Sequence, residues 1–377
     1  MRSPFWSPNR REFLRASAAT LAAGVLPAVP SSGFEASGKS APRVAAVPGK
    51  PQRIILDTDP GVDDAIAFFL ALRSPELQVE AVTPVSGNVP LHFTLPNALR
   101  LLEIAGRPDI PVAAGAAVPL VRKLVTAAYV HGSNGLGGVE FPEPKTKPVS
   151  ETATDLIRRI VRANPGEITI VAIGPLTNIA TVLKADPGIA PMIKSFVLMG
   201  GCLAGGNVTP AAEFNFYVDP EAARIVFDSG VPTTMVGLDV TNKVLLHESQ
   251  VRTLEAAQNP VAQAAAKIMR ATFNRIKPTK DDTVVAMHDP LTIASLIDPS
   301  VVTLKDYYVQ IETMGEMTAG MSVGYYRGPV RRSPPMETGI PDEPIPTEEY
   351  KPNCKVAVGV DADKFFNLLL PRLTANS

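Results

Sequence analysis

The sequence is poor in residues that build several common kinds of scaffold. Among its 377 residues are two cysteines, one tryptophan and four histidines. Two cysteines cannot support a disulfide-rich scaffold. One of them, Cys202, lies in a run of apolar residues and glycine, and the other, Cys354, lies in a polar stretch before a predicted strand. We expect both to be free thiols, with Cys202 buried as a small apolar residue.

Strong charge of one sign and long apolar runs are also absent. The formal net charge is −1, so the basic excess typical of nucleic-acid binding is missing. The mild apolar run at residues 16–29 is too short to span a bilayer comfortably. We therefore expect no nucleic-acid partner and no stable membrane insertion. The 45% of apolar residues nevertheless predicts a large buried core.

The N-terminal segment is typical of an export signal. Arg10-Arg11 is followed by Phe13-Leu14 and then by an alanine-rich stretch, which resembles a twin-arginine signal. A basic first helix of the folded domain is the alternative. The Ser, Gly, Pro and Ala content of the next residues favours a linker instead. We predict a signal at 1–30, a linker at 31–50, one domain at 51–377, and export to the periplasm or the medium.

Beyond the linker, short apolar runs alternate with helical patterns of apolar residues. The first run, Arg53–Leu56, leads through an acidic loop into such a pattern, and the unit recurs along the chain. The predicted strands are 53–56, 79–82, 168–173, 195–199, 233–238 and 355–360. This alternation predicts a single-domain α/β fold with a parallel-rich central sheet and helices on both faces. Ligands bind such sheets beyond the carboxyl ends of the strands.

Four carboxylates follow the first predicted strand within eight residues, at Asp57, Asp59, Asp63 and Asp64. At the end of an apolar strand they repel one another unless a cation is bound. Ligation by oxygen alone, with no paired Cys or His, indicates a hard ion, Ca²⁺ or Mg²⁺. Acids before a helix are also ordinary N-caps, which could account for one or two of them.

Two other kinds of acidic site fit less well. An EF-hand loop starting at Asp57 would need Gly at its sixth position and Glu at its twelfth, where Val62 and Phe68 stand. A phosphohydrolase with an Asp-x-Asp nucleophile is the more serious alternative, but its usual small hydroxyl residue is replaced by Gly61. No basic cluster accompanies the acids to hold a phosphate.

The segment Asp57–Ala65 resembles the signature of the inosine-uridine nucleoside hydrolase family. The similarity extends from about Arg53 to the C-terminus through an ordered series of motifs. These motifs are Gly87-Asn88, His131-Gly132, Gly174–Asn178, Val197–Gly201, Gly206-Asn207, Ala212–Asn215, Asp219–Ala223, Gly237–Asp239 and His288–Pro290. The resemblance implies hydrolysis of the N-glycosidic bond of ribonucleosides, a bound Ca²⁺, and a homodimer or homotetramer.

The same resemblance assigns roles to individual residues. Calcium would be bound by Asp59, Asp64, the backbone carbonyl of Ile173 and Asp289. The ion would lower the pKa of a bound water, and Asp59 would remove the water's proton. His288, whose imidazole titrates near neutrality, would protonate the leaving base. The hydrolytic set implied in this way is Asp59, Asn207 and His288.

Cleavage of an N-glycosidic bond passes through an oxocarbenium-like centre, so the site needs acceptors that hold the ribose. The resemblance implies substrate contacts from Asp63, Asn88, His131, Met199, Asn207, Glu213 and Asn215. We expect Met199 to lie under the sugar. Glu213 and Asn215 are two positions apart, so an extended chain would point both to one side.

The sequence departs from the family pattern at a few positions. Ser133-Asn134 stands where the family often has an acidic pair, which leaves base contacts of the His131 loop open. Ala319 stands where an arginine is common, and Tyr325-Tyr326 replaces a pair that is often acidic and basic. A nucleoside-binding or sugar-binding protein with little turnover therefore remains an alternative, although Asp59, Asn207 and His288 favour the enzyme.

Overall fold

The structure, a computed structural model, describes residues 49–276, 283–326 and 351–376. The strands in this part of the chain are β1 (Gln52–Thr58), β2 (Leu77–Pro84), β3 (Ile168–Ala172), β4 (Ser195–Met199), β5 (Thr233–Val236), β6 (Leu245–Leu246), β7 (Val285–Ala286), β8 (Val302–Ile311), β9 (Ser322–Tyr325) and β10 (Cys354–Val360). Eight of them form one sheet in the order β2-β1-β3-β4-β5-β10-β8-β9, and β6 pairs with β7 separately. The six strands from β2 to β10 are parallel, and β8 and β9 continue the sheet antiparallel.

Helices separate most of the strands. They are α1 (Val62–Leu72), α2 (Leu91–Ile104), α3 (Ala128–His131), α4 (Ala153–Ala163), α5 (Thr177–Ala185), α6 (Phe214–Val218), α7 (Pro220–Phe227), α8 (Leu238–Thr241), α9 (Glu248–Ala256), α10 (Pro260–Arg275), α11 (His288–Ile297) and α12 (Ala362–Thr374). Short 3₁₀ helices occur at Pro187–Met192 and Pro299–Val301. Within the described ranges, no helix is both long and apolar enough to cross a membrane.

Two buried apolar clusters lie on the two faces of the sheet. In β1, Ile54 and Leu56 belong to one cluster and Ile55 to the other, because successive side chains of a strand point to opposite faces. The first cluster contains residues of α1, α2 and α9–α12, and the second contains residues of α4, α5 and α7. The predicted α/β fold with helices on both faces of a mostly parallel sheet is confirmed.

The antiparallel edge of the sheet was not predicted. Residues 303–306 of β8 are exposed, so the strand lacks the apolar run that marks the parallel strands. Both cysteines are buried free thiols, as expected. The predicted signal at 1–30 and most of the linker at 31–50 lie outside the described residues, so these boundaries and that of the domain at 51–377 stay predictions.

Parallel strands bring their carboxyl ends to one edge of the sheet. The segments that leave β1, β2, β3 and β4 there contain Asp59, Asn88, Ile173 and Gly200. Most of the predicted site residues lie in the segments that follow these strands. His288 and Asp289, at the start of α11, join them at one cavity.

Candidate active site

The acidic loop between β1 and α1 is held by hydrogen bonds to a carboxylate in the first turn of α1, that of Asp64. Asp64 Oδ1 accepts from the hydroxyl of Thr58 at 2.7 Å, and Asp64 Oδ2 accepts from the backbone N–H of Gly61 at 2.9 Å. Asp64 thus satisfies a free N–H group at the start of α1, as the N-cap alternative anticipated for some of these acids. The bonds also fix where its carboxylate stands.

Asn88 joins the loop after β2 to the acidic loop. Its backbone N–H donates to Asp59 Oδ2 at 2.6 Å, and its side-chain amide donates to Asp64 Oδ2 at 2.9 Å and to the carbonyl of Asp59 at 3.2 Å. One residue therefore orients two carboxylates that would otherwise repel each other.

Two motif glycines leave room for the carboxylate of Asp59. A Cβ added at Gly87 would lie 2.0 Å from Asp59 Oδ2, and one added at Gly174 would lie 2.6 Å from Asp59 Oδ1. Both distances are too short for a real contact, so any larger residue would displace this carboxylate. The requirement gives a physical reason for glycine in the Gly-Asn and Gly-Pro motifs.

Three buried carboxylates converge at the end of β1. Oxygen atoms of Asp63, Asp64 and Asp289 lie within 4.8 Å of one another. Burial, reinforced by repulsion between neighbouring carboxylates, raises the pKa of Asp64, Asp289 and Asp59, and burial raises that of Asp63. In the described ranges, no lysine or arginine forms an ion pair with any of them. One oxygen of Asp59, Oδ1, is buried and has no hydrogen-bond partner among the residues that the structure describes.

This donor set fits a hard cation, because several acceptor oxygens are placed together with no other positive charge to balance them. The structure brings the predicted ligands Asp64 and Asp289 together. Asp63 belongs to the same cluster. The sequence counted it among the four acids that indicate a cation, and the family resemblance implied it as a substrate contact. Asp59 lies outside the cluster of Asp63, Asp64 and Asp289, and Asn88 connects it to Asp64 by hydrogen bonds to both carboxylates.

Asp57 connects β1 to neighbouring elements by hydrogen bonds. Its Oδ2 accepts from the hydroxyl of Thr83 at 2.6 Å and from the side-chain amide of Asn178 at 2.8 Å. These bonds connect β1 to β2 and to α5. Burial raises the pKa of Asp57 to about 7.

Glu213 and Asn215 are arranged differently from the extended chain that their spacing predicted. Glu213 is the N-cap of α6, and its carboxylate accepts from the backbone N–H groups of Gly201, Asn215 and Phe216. The prediction was wrong because a carboxylate that precedes a short helix is better satisfied by the free N–H groups of that helix. Burial raises the pKa of Glu213 to about 7.

Asn215 lies in the first turn of α6 and contacts two strand ends. Its side-chain amide donates to the carbonyl of Met199 at 3.1 Å and to the carbonyl of Ile173 at 3.3 Å. The Ile173 carbonyl keeps a second lone pair, so a bond from Asn215 leaves it able to bind a cation. Met199 is 3% exposed and borders the cavity described next, as expected for a residue under a ligand.

A cavity of about 540 Å³ opens above these groups. The predicted residues that line it are Asp63, Asn88, His131, Ile173, Met199, Asn207, Glu213, Asn215, His288 and Asp289. Asp59 and Asp64 are fully buried and do not line it. Asn207 is an exposed loop residue at the wall. The volume is in the range of small-molecule sites.

Both predicted histidines border the cavity, and burial lowers the pKa of each. His131 Nδ1 accepts from the backbone N–H of Val62 at 3.1 Å and lies 3.9 Å from an oxygen of Asp63. The pKa of His131 is lowered to about 3. His288, the first residue of α11, has its Nδ1 2.8 Å from the hydroxyl of Thr241, and its pKa is lowered to about 4. This differs from the titration near neutrality that the sequence led us to expect, because burial disfavours the charged imidazolium.

Other residues of the cavity were not predicted from the sequence. Tyr129, Val130 and Ile276 give it an apolar wall, and Arg275 also lines it. The guanidinium of Arg275 donates to the carbonyl of Val130, which connects α10 to α3. Their positions depend on helix ends packing together, so no local sequence signal marks them.

The comparison with known proteins identifies the family of the chain. The profile of the inosine-uridine preferring nucleoside hydrolase family matches residues 54–367. The chain belongs to this family. Its members are N-glycosyl hydrolases that act on ribonucleosides, so the enzyme class implied by the sequence resemblance is confirmed.

The chain aligns with nearly the whole length of its individual relatives. The chain is 45% identical over 322 residues to the pyrimidine-specific ribonucleoside hydrolase RihA of Salmonella gallinarum, covering 85% of this chain and 97% of RihA. The structure of the plant nucleoside hydrolase PpNRh1 superimposes with a TM-score of 0.78 at 37% identity, covering 87% of this chain and 100% of that one. A purine-preferring ribonucleoside hydrolase from Gardnerella vaginalis gives a TM-score of 0.75 at 33% identity, covering 85% and 98%.

Proposed function

We propose that this nucleoside hydrolase is calcium-dependent and converts a ribonucleoside and water into ribose and free base. The observation that carries the proposal is the convergence of buried carboxylates beneath a cavity of small-molecule size. Asp63, Asp64 and Asp289 meet there without a basic partner among the residues described. A phosphohydrolase would instead need cations to hold its phosphate.

We assign the cation to Asp59, Asp64, the carbonyl of Ile173 and Asp289, with Asp63 at the same point. Ca²⁺ is favoured because it accepts many oxygen ligands in flexible geometry, including backbone carbonyls. When bound, the ion supplies the means to acidify a water and to anchor sugar hydroxyls.

Each side chain of the site has a separate role in the proposed reaction. Asp59 takes a proton from the attacking water, since its carboxylate is held by Asn88 and keeps one oxygen without a partner. Asn88, Asn207, Glu213 and Asn215 contact the ribose. The electron pair of the breaking bond stays with the base, and His288 donates a hydrogen bond to the departing base.

The base occupies the less polar part of the cavity in this proposal. RihA of Salmonella gallinarum is named pyrimidine-specific, and the Gardnerella relative is named purine-preferring. Because identity to the pyrimidine-specific relative is the higher of the two, we propose uridine and cytidine as the first substrates to examine.

The test is a panel of uridine, cytidine, inosine and adenosine, assayed for release of reducing sugar with calcium and after chelation. We expect turnover of at least one pyrimidine nucleoside, loss of turnover on chelation and recovery on adding Ca²⁺. No activity on any of the four with calcium present would contradict the hydrolase. Undiminished activity after rigorous chelation would contradict the metal.

A substitution tests the role of Asp59. Asp59→Ala should abolish turnover while the protein remains folded, and Asp306→Ala, at an exposed carboxylate on β8, provides the matched control. Near-normal rates for Asp59→Ala would refute its assignment as the base.

We also propose export through the segment 1–30 and assembly as a homodimer or homotetramer. Replacing Arg10-Arg11 by two lysines should retain the protein in the cytoplasm of a host with a twin-arginine pathway, and fractionation measures this. Light scattering of the purified protein measures the assembly, and a monomer would contradict it.

A further inference from the structure

His288 is held from within the protein by a buried hydroxyl. Its Nδ1 lies 2.8 Å from Oγ1 of Thr241, the last residue of α8, and Thr241 is 0% exposed. The two residues are 47 positions apart in the chain. The contact therefore exists only because α8 and α11 pack against each other.

The burial of Thr241 decides the direction of this hydrogen bond. A threonine hydroxyl has one hydrogen, and leaving that hydrogen without an acceptor in the interior is costly. His288 Nδ1 is the sole hydrogen-bond partner of this hydroxyl in the part of the chain that the structure describes. The hydroxyl consequently donates and Nδ1 accepts.

The direction of the bond fixes the state of the ring. In a neutral imidazole one nitrogen accepts and the other carries the hydrogen. Since Nδ1 of His288 accepts from Thr241, Nε2 carries the hydrogen. His288 lines the cavity, whereas Thr241 does not. The donating nitrogen is thus the one on the far side of the ring from Thr241.

We propose that Thr241 is a positioning residue for hydrolysis, which fixes the orientation and tautomer of His288 so that Nε2–H faces the leaving base. This inference rests on the proposed function. As the bond between the anomeric carbon and the base nitrogen breaks, its electron pair stays on the base. Nε2–H donates a hydrogen bond that stabilises the negative charge left on the base, and the water oxygen bonds to the anomeric carbon. The proton that the water loses passes through Asp59 to the solvent, and the departed base takes one proton from the solvent, so the protons balance.

Isosteric variants test this role. Thr241→Val keeps the shape and removes the hydroxyl, and Thr241→Ser keeps the hydroxyl. Thr233→Val is the matched control, because Thr233 is a buried threonine at the start of β5 whose hydroxyl donates to the Val231 carbonyl. Each variant is assayed with uridine and with p-nitrophenyl β-D-ribofuranoside, whose nitrophenolate leaves without a proton.

We expect Thr241→Val to lower kcat for uridine about 10- to 100-fold, with little change in KM, because one well-placed donor to a developing negative charge contributes on the order of 10²- to 10³-fold. Its kcat for the nitrophenyl riboside should fall less than about threefold, since nitrophenolate is a stable anion without such a donor. Thr241→Ser and Thr233→Val should remain close to the wild type on both substrates.

Other outcomes would overturn the inference. An unchanged kcat of Thr241→Val for uridine, or an equal loss on both substrates, would show that Thr241 has no role specific to the leaving base. Inactive wild-type protein on both substrates would instead contradict the proposed function itself.

A spectroscopic measurement keeps the proposal testable even where Thr241→Val is unstable. Nitrogen NMR of ¹⁵N-histidine protein should show His288 of the wild type with hydrogen on Nε2 and none on Nδ1. The signal can be assigned by its loss in His288→Gln, as the chain has four histidines. The opposite tautomer in the wild type would refute the proposal.

Discussion

The cavity combines two regions of different character. The polar floor consists of buried carboxylate and amide residues that line the cavity or lie beneath it. Asp63, Asn88, Glu213, Asn215 and Asp289 line it, and Asp59 and Asp64 lie beneath them. The rim consists of the apolar residues Tyr129, Val130, Ile276 and Val284. Tyr129 is 71% exposed, whereas every floor residue is at most 6% exposed.

The difference lies in how far each region is fixed by its surroundings. Most floor side chains are bound by the backbone or by each other, as with Asn88 on Asp59 and Asp64. The rim comes from helix ends and short segments, with few polar contacts. Transition-state stabilisation needs groups that stay in place, and a rim can change without moving them. Relatives named for different base preferences are consistent with this division.

The largest effect should come from removing a carboxylate of the floor. Asp289→Ala takes one ligand from the cluster with Asp63 and Asp64, and we expect kcat/KM to fall about 10³-fold, since a metal supplies several kcal/mol of transition-state stabilisation. Steady-state kinetics at saturating calcium, with calcium binding by calorimetry, measure this. Asp228→Ala, at an exposed carboxylate of the surface, is the control. If Asp289→Ala kept the calcium affinity and the activity of the wild type, the distinction between floor and rim would be contradicted.

An amide of the floor should matter less than a ligand. Asn215→Ala removes the donor to the carbonyls of Ile173 and Met199, so these strand ends lose a fixed partner. We expect kcat/KM to fall about 10- to 100-fold, which corresponds to roughly 1.4 to 2.7 kcal/mol. Asn164→Ala, a half-buried asparagine whose amide donates to Ile160, should leave kcat/KM unchanged. An equal loss in both variants would indicate general destabilisation.

Chelation should destabilise the floor, and more so at high pH. Burial raises the pKa of Asp57 and Glu213 to about 7, and it raises those of the clustered aspartates as well. The folded, metal-free protein then binds more protons than the unfolded chain, so its stability falls as pH rises from about 4 through 7. We expect chelation to lower Tm by roughly 5 °C at pH 8, and by less at pH 6. Calorimetry at both pH values measures the two decreases in Tm. A larger decrease at pH 6 than at pH 8 would contradict the prediction.

The sequence predicts much of this fold because the parallel strands are continuous apolar runs buried on both faces. It misses β8, whose exposed residues from Thr303 to Asp306 form no such run. A run of apolar residues was the signal that marked the other strands, and β8, which lies next to the last strand of the sheet, has exposed polar residues in its first half instead.

The site was predictable where its geometry is local. Asp59 lies in the loop between β1 and α1 and Asp64 in the first turn of α1, so their nearness follows from the turn between these two elements. To predict the contacts of Glu213, one must know which backbone N–H groups are free at the start of α6. To predict the contact of Thr241, one must know how α8 packs against α11. Contacts of this kind depend on packing between distant segments, which spacing in the sequence does not encode.

The smallest effect should come from the rim. Tyr129→Ala removes an exposed ring that lines the cavity, and surface substitutions of this kind change stability by about 0.5 kcal/mol or less. Because the floor stays in place, kcat should remain within about twofold while KM rises about 3- to 10-fold, as expected when binding is lost equally from the ground and transition states. Kinetics with uridine and inosine measure both constants, and the chelation shift in Tm should match that of the wild type. A fall in kcat with unchanged KM would place Tyr129 with the chemistry and remove the distinction between floor and rim.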